Sequence, residues 1–277
     1  MFQKSTIWFV IVSLSLTACS NSSTSNSSKN GAGEPGAIAI TGSTALLPLV
    51  KQAAQEYQQK HPAVKISVSG GGSRVGIAQV ANKGVDIGDS DIDAPGEKNL
   101  VDHKVAVATF AVVVNNDAGV KSLSKKQLAD VFSAKETNWK AVGGSDQKIV
   151  IINRASSSGT RAVFVQRVMN NVQPTQAGLT QDSSGTVLST VKQTPGAVSY
   201  VATSYLKGGG LTQIRIDGVA PSDAAVMNNT YPFWAYEHMF TYGRPNNNVA
   251  DFIRYVQNDK PLLKQLGFMA SGDLKVK

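Results

Sequence analysis

The sequence predicts an α/β protein whose strands pair mainly in parallel, and three observations predict it. Short apolar, β-branched runs alternate with stretches whose apolar residues fall at helical spacing. One run, Val105 to Asn115, is apolar almost without interruption, as a strand buried on both faces of such a sheet must be. Loops rich in Gly, Ser and Thr stand where extended runs hand over to helical ones. In chain order, Ala37 to Ile40 reads as a short strand. Leu46, Val50, Ala53 and Tyr57 then follow at helical spacing, with Pro48 tolerated in the first turn. Val64 to Val68 alternates as a second strand, Gly70 to Ser73 turns, and Val75 to Ala81 returns to helical spacing. Val105 to Asn115 and Ile149 to Asn153 are further strands, the latter running into Arg154. A helix starts at Gly185, Gly196 to Val201 is extended, and Ile214 to Ile216 precedes an Asp217-Gly218 turn. No internal repeat is visible. Polar interruptions at 115–119 and 217–230 mark two crossings of the chain, which predicts a discontinuous lobe 1 of residues 37–114 plus 228–277 and a lobe 2 of residues 115–227.

Residues 1–18 read as an export signal, with Lys4 in a charged start, the apolar stretch Ile7 to Leu16, and small residues at the cleavage point. That stretch is too short to span a bilayer as a helix. Its end, Leu16-Thr17-Ala18-Cys19, resembles the bacterial lipobox, in which the Cys becomes the lipidated first residue of the mature protein. Cys19 is the only cysteine in the chain, so its lipidation leaves no thiol for a disulfide, a nucleophile or a metal. Residues 19–36 are rich in Ser, Asn and Gly and carry almost no apolar side chain, the composition of a flexible tether. The roughly 240 residues that follow suffice for one large or two medium domains. Net charge is +8, yet Lys and Arg are scattered singly without interleaved aromatics. Together with export, this argues against a nucleic-acid partner and favours anionic solutes or an anionic envelope.

Four of the small-residue loops carry the chemistry: Gly42-Ser43-Thr44, Gly71-Gly72-Ser73, Gly88-Asp89-Ser90-Asp91 and Ser157-Ser158-Gly159-Thr160. A strand-to-helix turn presents unpaired N–H groups and the positive end of a helix dipole, and small residues let an anion come close. Singly, each such loop is a helix cap or a plain turn. Together, with Arg154 and Asp91, they predict an oxyanion site. On the residues alone, Asp91 serves equally as a cap and Arg154 equally as a surface ion pair. A secreted serine hydrolase is the rival class, since Ser157-Ser158-Gly159 invites a nucleophile, but no Gly-x-Ser-x-Gly elbow is present. His61, His103 and His238 are single and scattered and read as surface or capping groups. Ser122-Leu-Ser-Lys125 matches Ser-x-x-Lys without a Lys-Thr-Gly partner, and no clustered metal ligands appear in the sequence. The expectation is a binding protein without catalytic residues, metal or cofactor.

Six segments resemble the phosphate-binding proteins of high-affinity phosphate ABC transporters, over Ile38 to about Leu266. They are Thr41 to Leu49, Gly70 to Gly76, Val85 to Asp91, Val131 to Gly144, Arg154 to Arg161 and Gly196 to Val201. The Phe-Ser, Asn-Trp-Lys and Val-Gly-Gly elements within Val131 to Gly144 are the most specific. The resemblance implies a two-lobed, type II periplasmic-binding-protein-like fold, each lobe a mainly parallel sheet flanked by helices, with the ligand in the cleft between them. It implies donors from Ser43, Thr44 and the backbone N–H of Ala45, a hydroxyl from Ser73, and Asp91 as the one acceptor. It also implies charge-assisted bonds from Arg154 and donors from Ser158, Gly159 and Thr160 at a helix start. Two positions depart from the family: Ser156 stands where an acidic residue often follows the Arg, and Ala45 stands where an aromatic often follows the Thr. The implied function is capture of inorganic phosphate, as a monomeric unit, for delivery to the permease subunits of an ABC transporter. The implied location is the extracytoplasmic face of the bacterial membrane, reached through the lipid anchor. Sulfate and molybdate are the competing ligands. A proton on phosphate can donate to Asp91, whereas fully ionised sulfate brings only lone pairs to a carboxylate.

Overall fold

The computed structural model describes residues 36–274. The export signal, Cys19 and the tether up to residue 35 lie outside the described residues. The chain opens with β1 (Ala37–Gly42), α1 (Leu47–Lys60), β2 (Lys65–Gly70), α2 (Ser73–Ala81) and β3 (Ile87–Ser90), followed by the long β4 (Leu100–Val114). Then come β5 (Ser122–Leu123), α3 (Lys125–Phe132), β6 (Val150–Arg154), α4 (Gly159–Arg167), β7 (Leu179–Gln181), α5 (Ser184–Gln193) and β8 (Ala197–Ala202). After β9 (Thr212–Gln213), β10 (Arg215–Ile216) and α6 (Asp223–Met227), the chain returns along β11 (Trp234–Tyr242) and ends in α7 (Asn247–Asn258), α8 (Lys260–Leu266) and β12 (Phe268–Ala270).

The main sheet runs in the order β2-β1-β3-β11-β4-β8-β6-β7, with β12 and β9 also paired to β4. The pairings within β2-β1-β3 and within β8-β6-β7 are parallel, as the alternation of strands and helices predicts. The centre is antiparallel, because β11 returns from a long excursion and inserts between β3 and β4. Strand β4 serves both halves: Leu100 to Thr109 pair with β11, and Phe110 to Val114 pair with β8. Its apolar stretch, Val105 to Val114, is buried throughout. Phe110, Val112 and Val114 enter the larger core, while Ala111 and Val113 enter a smaller one with Ile152, Val187 and Val191 under α5. The strand starts at Leu100, before the apolar run, because β11 supplies backbone partners to a polar segment.

Local chemistry sets the helix starts that face the loops. Gly72, at φ 94°, precedes α2, and a side chain there would strike the Ser157 carbonyl. Ser158 caps α4, and Ser183 with Thr186 forms a capping box on α5, so that helix begins at Ser184, one residue ahead of Gly185. The Val131 to Gly144 segment is structural: Trp139 is fully buried and its indole N–H donates to the Gly196 carbonyl at 2.9 Å.

Candidate functional site

The carboxyl ends of β1, β3 and β6 and the starts of α2, α4 and α5 bring all nine predicted ligand-binding residues into one buried cluster. None of the seven that carry a polar side chain is more than 4% exposed. Ser43 leaves β1 with its N–H on the Asp89 carbonyl at 2.9 Å and its hydroxyl on Asp91 Oδ1. Its Oγ also accepts the N–H groups of Ala45 at 3.0 Å and Leu46 at 3.1 Å, so the predicted Ala45 donor is engaged within its own turn. Thr44 Oγ1 accepts from Arg154 Nη2 at 3.1 Å and from the Ser184 N–H at 3.2 Å. Ser73 Oγ accepts the Asp91 N–H at 2.9 Å, and Thr160 Oγ1 donates to Asp91 Oδ2 at 2.6 Å. Ser158 Oγ takes the Arg161 N–H at 3.2 Å, the helix-cap bond. Gly159 packs so tightly that a Cβ would collide with Ser73 Oγ and lie 3.0 Å from the Asp91 Cβ.

Arg154, at the end of β6, is 1% exposed, and its Nε and Nη1 have no hydrogen-bond partner. No carboxylate forms an ion pair with it among the described residues. Burial pulls its pKa down, while Tyr200, Asp91, Tyr205 and Asp182 pull it back up. Asp182, just ahead of α5, thus supplies negative charge near a guanidinium whose chain neighbour Ser156 is exposed. Arg161 Nη1 donates to the Arg154 carbonyl at 2.6 Å and holds that turn. The arrangement is a desolvated cation with unfilled donors, ringed by hydroxyls and helix starts, with one carboxylate.

Four residues pack around the cluster without having been predicted as ligand contacts, and of these only Asp89 lies in a loop that the sequence points to. Ser184 places both its N–H and its hydroxyl 3.2 Å from Thr44 Oγ1, and its one sequence signal is the Ser183-x-x-Thr186 capping box. Tyr205 donates to the Thr44 carbonyl at 2.6 Å, and burial pushes its phenol up to about 12. Asp89 and Glu237 are fully buried beside Asp91. His238 corrects an expectation: it is a buried group, not a surface one, because β11 runs through the sheet centre and sets its Nδ1 2.7 Å from Asp102.

The chain resembles known proteins along nearly its whole length. A family model described as a PBP superfamily domain matches residues 26–260. The phosphate-binding protein PstS of Bacillus subtilis is 41% identical over 272 residues, covering 94% of this chain and 90% of that protein. A Clostridium perfringens protein solved with bound phosphate superposes with a TM-score of 0.80 at 26% identity, covering 87% of this chain and all of that one. An ABC-type phosphate transport receptor of Vibrio cholerae gives a TM-score of 0.69 at 26% identity, covering 84% of this chain and 99% of that one. The shared architecture is the two-lobed α/β fold of extracytoplasmic binding proteins, and the chain belongs to the PBP superfamily and, within it, to the PstS family of phosphate-binding proteins.

Proposed function

We propose that this chain captures inorganic phosphate outside the cell, while tethered through a lipid on Cys19, and delivers it to the permease of a phosphate ABC transporter. The observation that carries this reading is Arg154. A buried cation with no ion pair and two unpartnered nitrogens is strongly unfavourable, and those nitrogens beside the hydroxyls give an anion its place. The phosphate bound to the Clostridium perfringens relative supports the same ligand. On entry of phosphate, Ser43, Thr44, Ser73, Ser158 and Thr160 turn their hydroxyls to its oxygens, and the starts of α4 and α5 add dipole and N–H groups. Asp91 takes the phosphate O–H and repels an anion that has none. Lobe 1, residues 37–114 with 228–277, and lobe 2, residues 115–227, close over the ligand by a hinge motion and desolvate it. The reading is of binding without reaction: Ser158 Oγ accepts a backbone N–H, and no histidine hydrogen-bonds to it among the described residues.

Calorimetric titration of the mature chain with phosphate, sulfate and molybdate tests the assignment. The expected result is a preference for phosphate over sulfate of about a thousandfold, from the cost of burying like charge without a hydrogen bond. Asp91→Asn narrows that preference, because the amide NH₂ donates to sulfate. Sulfate binding as tight as phosphate in the unsubstituted protein would overturn the reading. The anchor is tested separately: Cys19→Ala protein should leave the membrane fraction, and its retention after a high-salt wash would place the anchor elsewhere.

A further inference from the structure

Glu237 lies on β11 at the back of the site, fully buried, and neither of its oxygens meets an N–H or O–H donor. A β-bulge falls between Glu237 and His238, and a bulge re-aims neighbouring side chains. His238 accordingly meets Asp102, while the antiparallel register of β11 on β3, with His238 opposite Ser90 and Met239 opposite Asp89, carries the buried Glu237 to the level of Asp91. Two ionised carboxylates are both acceptors and cannot bond to each other, so the pair must hold a proton. The asymmetry of the surroundings locates it. Asp91 receives the hydroxyls of Ser43 and Thr160, whereas Glu237 has no donor at all, so the proton of the pair belongs on Glu237.

We propose that Glu237 is a positioning residue for anion selection: a neutral carboxylic acid that donates to Asp91 and keeps it an ionised, correctly turned acceptor for the ligand O–H. The inference rests on the phosphate reading of the site. A carboxylate offers about four acceptor positions. Before an anion enters, Ser43 and Thr160 fill two of them; once their hydroxyls turn to the ligand, the proton on Glu237 keeps one Asp91 position filled and leaves another for the ligand O–H. An oxyanion that carries a proton satisfies that last position, and one without a proton does not. Burial holds the Glu237 carboxyl well above the usual carboxylate range, and the charges of Asp91 and Asp89 add to it. Among the described residues, the other titratable groups around the cluster are Arg154 at the end of β6 and Tyr205, both in the field of Asp91, with Tyr200 and Asp182 acting on Arg154. Strand β4 places apolar Ala106 opposite Glu237, and α2 contributes Ser73, which holds the Asp91 N–H.

The test compares the unsubstituted protein, Glu237→Gln and Glu237→Leu by titration with phosphate and with sulfate at about pH 5 and about pH 8. An infrared spectrum of each protein, read for the C=O stretch of a protonated carboxylic acid, accompanies it. Glu237→Gln should keep phosphate affinity within about threefold and keep the phosphate preference at both pH values, since its amide N–H replaces the acid O–H. It should also lose one protonated-acid band. Glu237→Leu should gain sulfate binding by about tenfold or more as pH falls, because Asp91 without this donor takes up a proton and then donates to sulfate. Tightening of anion binding by about tenfold in Glu237→Gln would show that a charge had been removed, and would overturn the proposal. An unchanged infrared spectrum in Glu237→Gln would do the same. Should Glu237→Leu not fold, the Gln variant and the infrared band decide the matter alone. A failure of the unsubstituted protein to bind phosphate would overturn the phosphate reading, and the infrared band would still report on Glu237.

Discussion

At the scale of single residues, the site is decided by what each polar group lacks. Arg154 has two nitrogens without partners and no ion pair, so an incoming anion gains charge-assisted bonds that no protein group competes for. The hydroxyls of Ser43 and Thr160, by contrast, already donate to Asp91, and there an anion only exchanges one hydrogen bond for another. Arg154→Ala should therefore weaken phosphate binding far more than removal of any one hydroxyl. Ser158→Ala should cost about 1 to 2 kcal/mol of binding, cushioned by the backbone N–H groups of the same turn. Equal losses in the two titrations would place Arg154 outside the contacts to the ligand. Ser156, which cannot supply the acid often found after this Arg, is exposed, and the field of Asp182 reaches the guanidinium instead.

At the scale of elements, the same serine can be a cap and a ligand donor, and the two roles separate by position in the fold. Ser124 forms a capping box with Gln127 on α3, with no contact to the site, whereas Ser158 caps α4 inside it. Ser124→Ala should lower unfolding free energy by about 1 kcal/mol and leave phosphate affinity unchanged. Ser158→Ala should lower both, as denaturant melts beside calorimetry would show. The elements themselves are legible to different degrees. Strands β1, β2, β6 and β8 are readable from apolar runs that end in turn residues, within two residues of their observed bounds. The first five residues of β4 and the whole of β11 are not. Asp102 and Lys104 are exposed while Glu237, His238 and Thr241 are buried, a pattern that marks no strand, and the two segments gain strand structure from each other's backbone. Pattern reading also assigns nothing to 247–266, where α7 buries Val249, Phe252, Ile253 and Val256 and α8 buries Leu262 and Leu263.

At the scale of the whole molecule, stability and function share the buried acids. Burial and the charge of Asp91 push the Asp89 carboxyl well above the ordinary range, and its two oxygens have no donor. The sign follows from linkage. A raised folded-state pKa means that the folded state holds the proton longer than the unfolded chain does. The stabilisation is then complete below the unfolded pKa, near 4, and is lost as pH rises toward the folded value. Within that window, Asp89→Asn should flatten the decline of unfolding free energy with pH by about 1.4 kcal/mol per pH unit, the slope of one proton. Denaturant unfolding at a series of pH values reads this slope whatever offset the amide introduces. An unchanged slope would mean that Asp89 ionises in the fold as it does in the unfolded chain.

By itself, the sequence determined the α/β class and the loops that bear the hydroxyls, while the selection of Ser43, Thr44, Ser73, Asp91, Arg154, Ser158, Gly159 and Thr160 within them came from the family resemblance. These are local signals: periodicity, turn chemistry, and small residues at strand-to-helix junctions are written in neighbouring positions. Tertiary structure alone decided that β4 would serve both halves of the sheet, that Ser184 and Tyr205 would close on Thr44, and that Glu237 would reach the level of Asp91. Those outcomes depend on pairings between segments as much as 161 residues apart. No local pattern encodes them, because a burial or a charge field exists only once distant strands have packed.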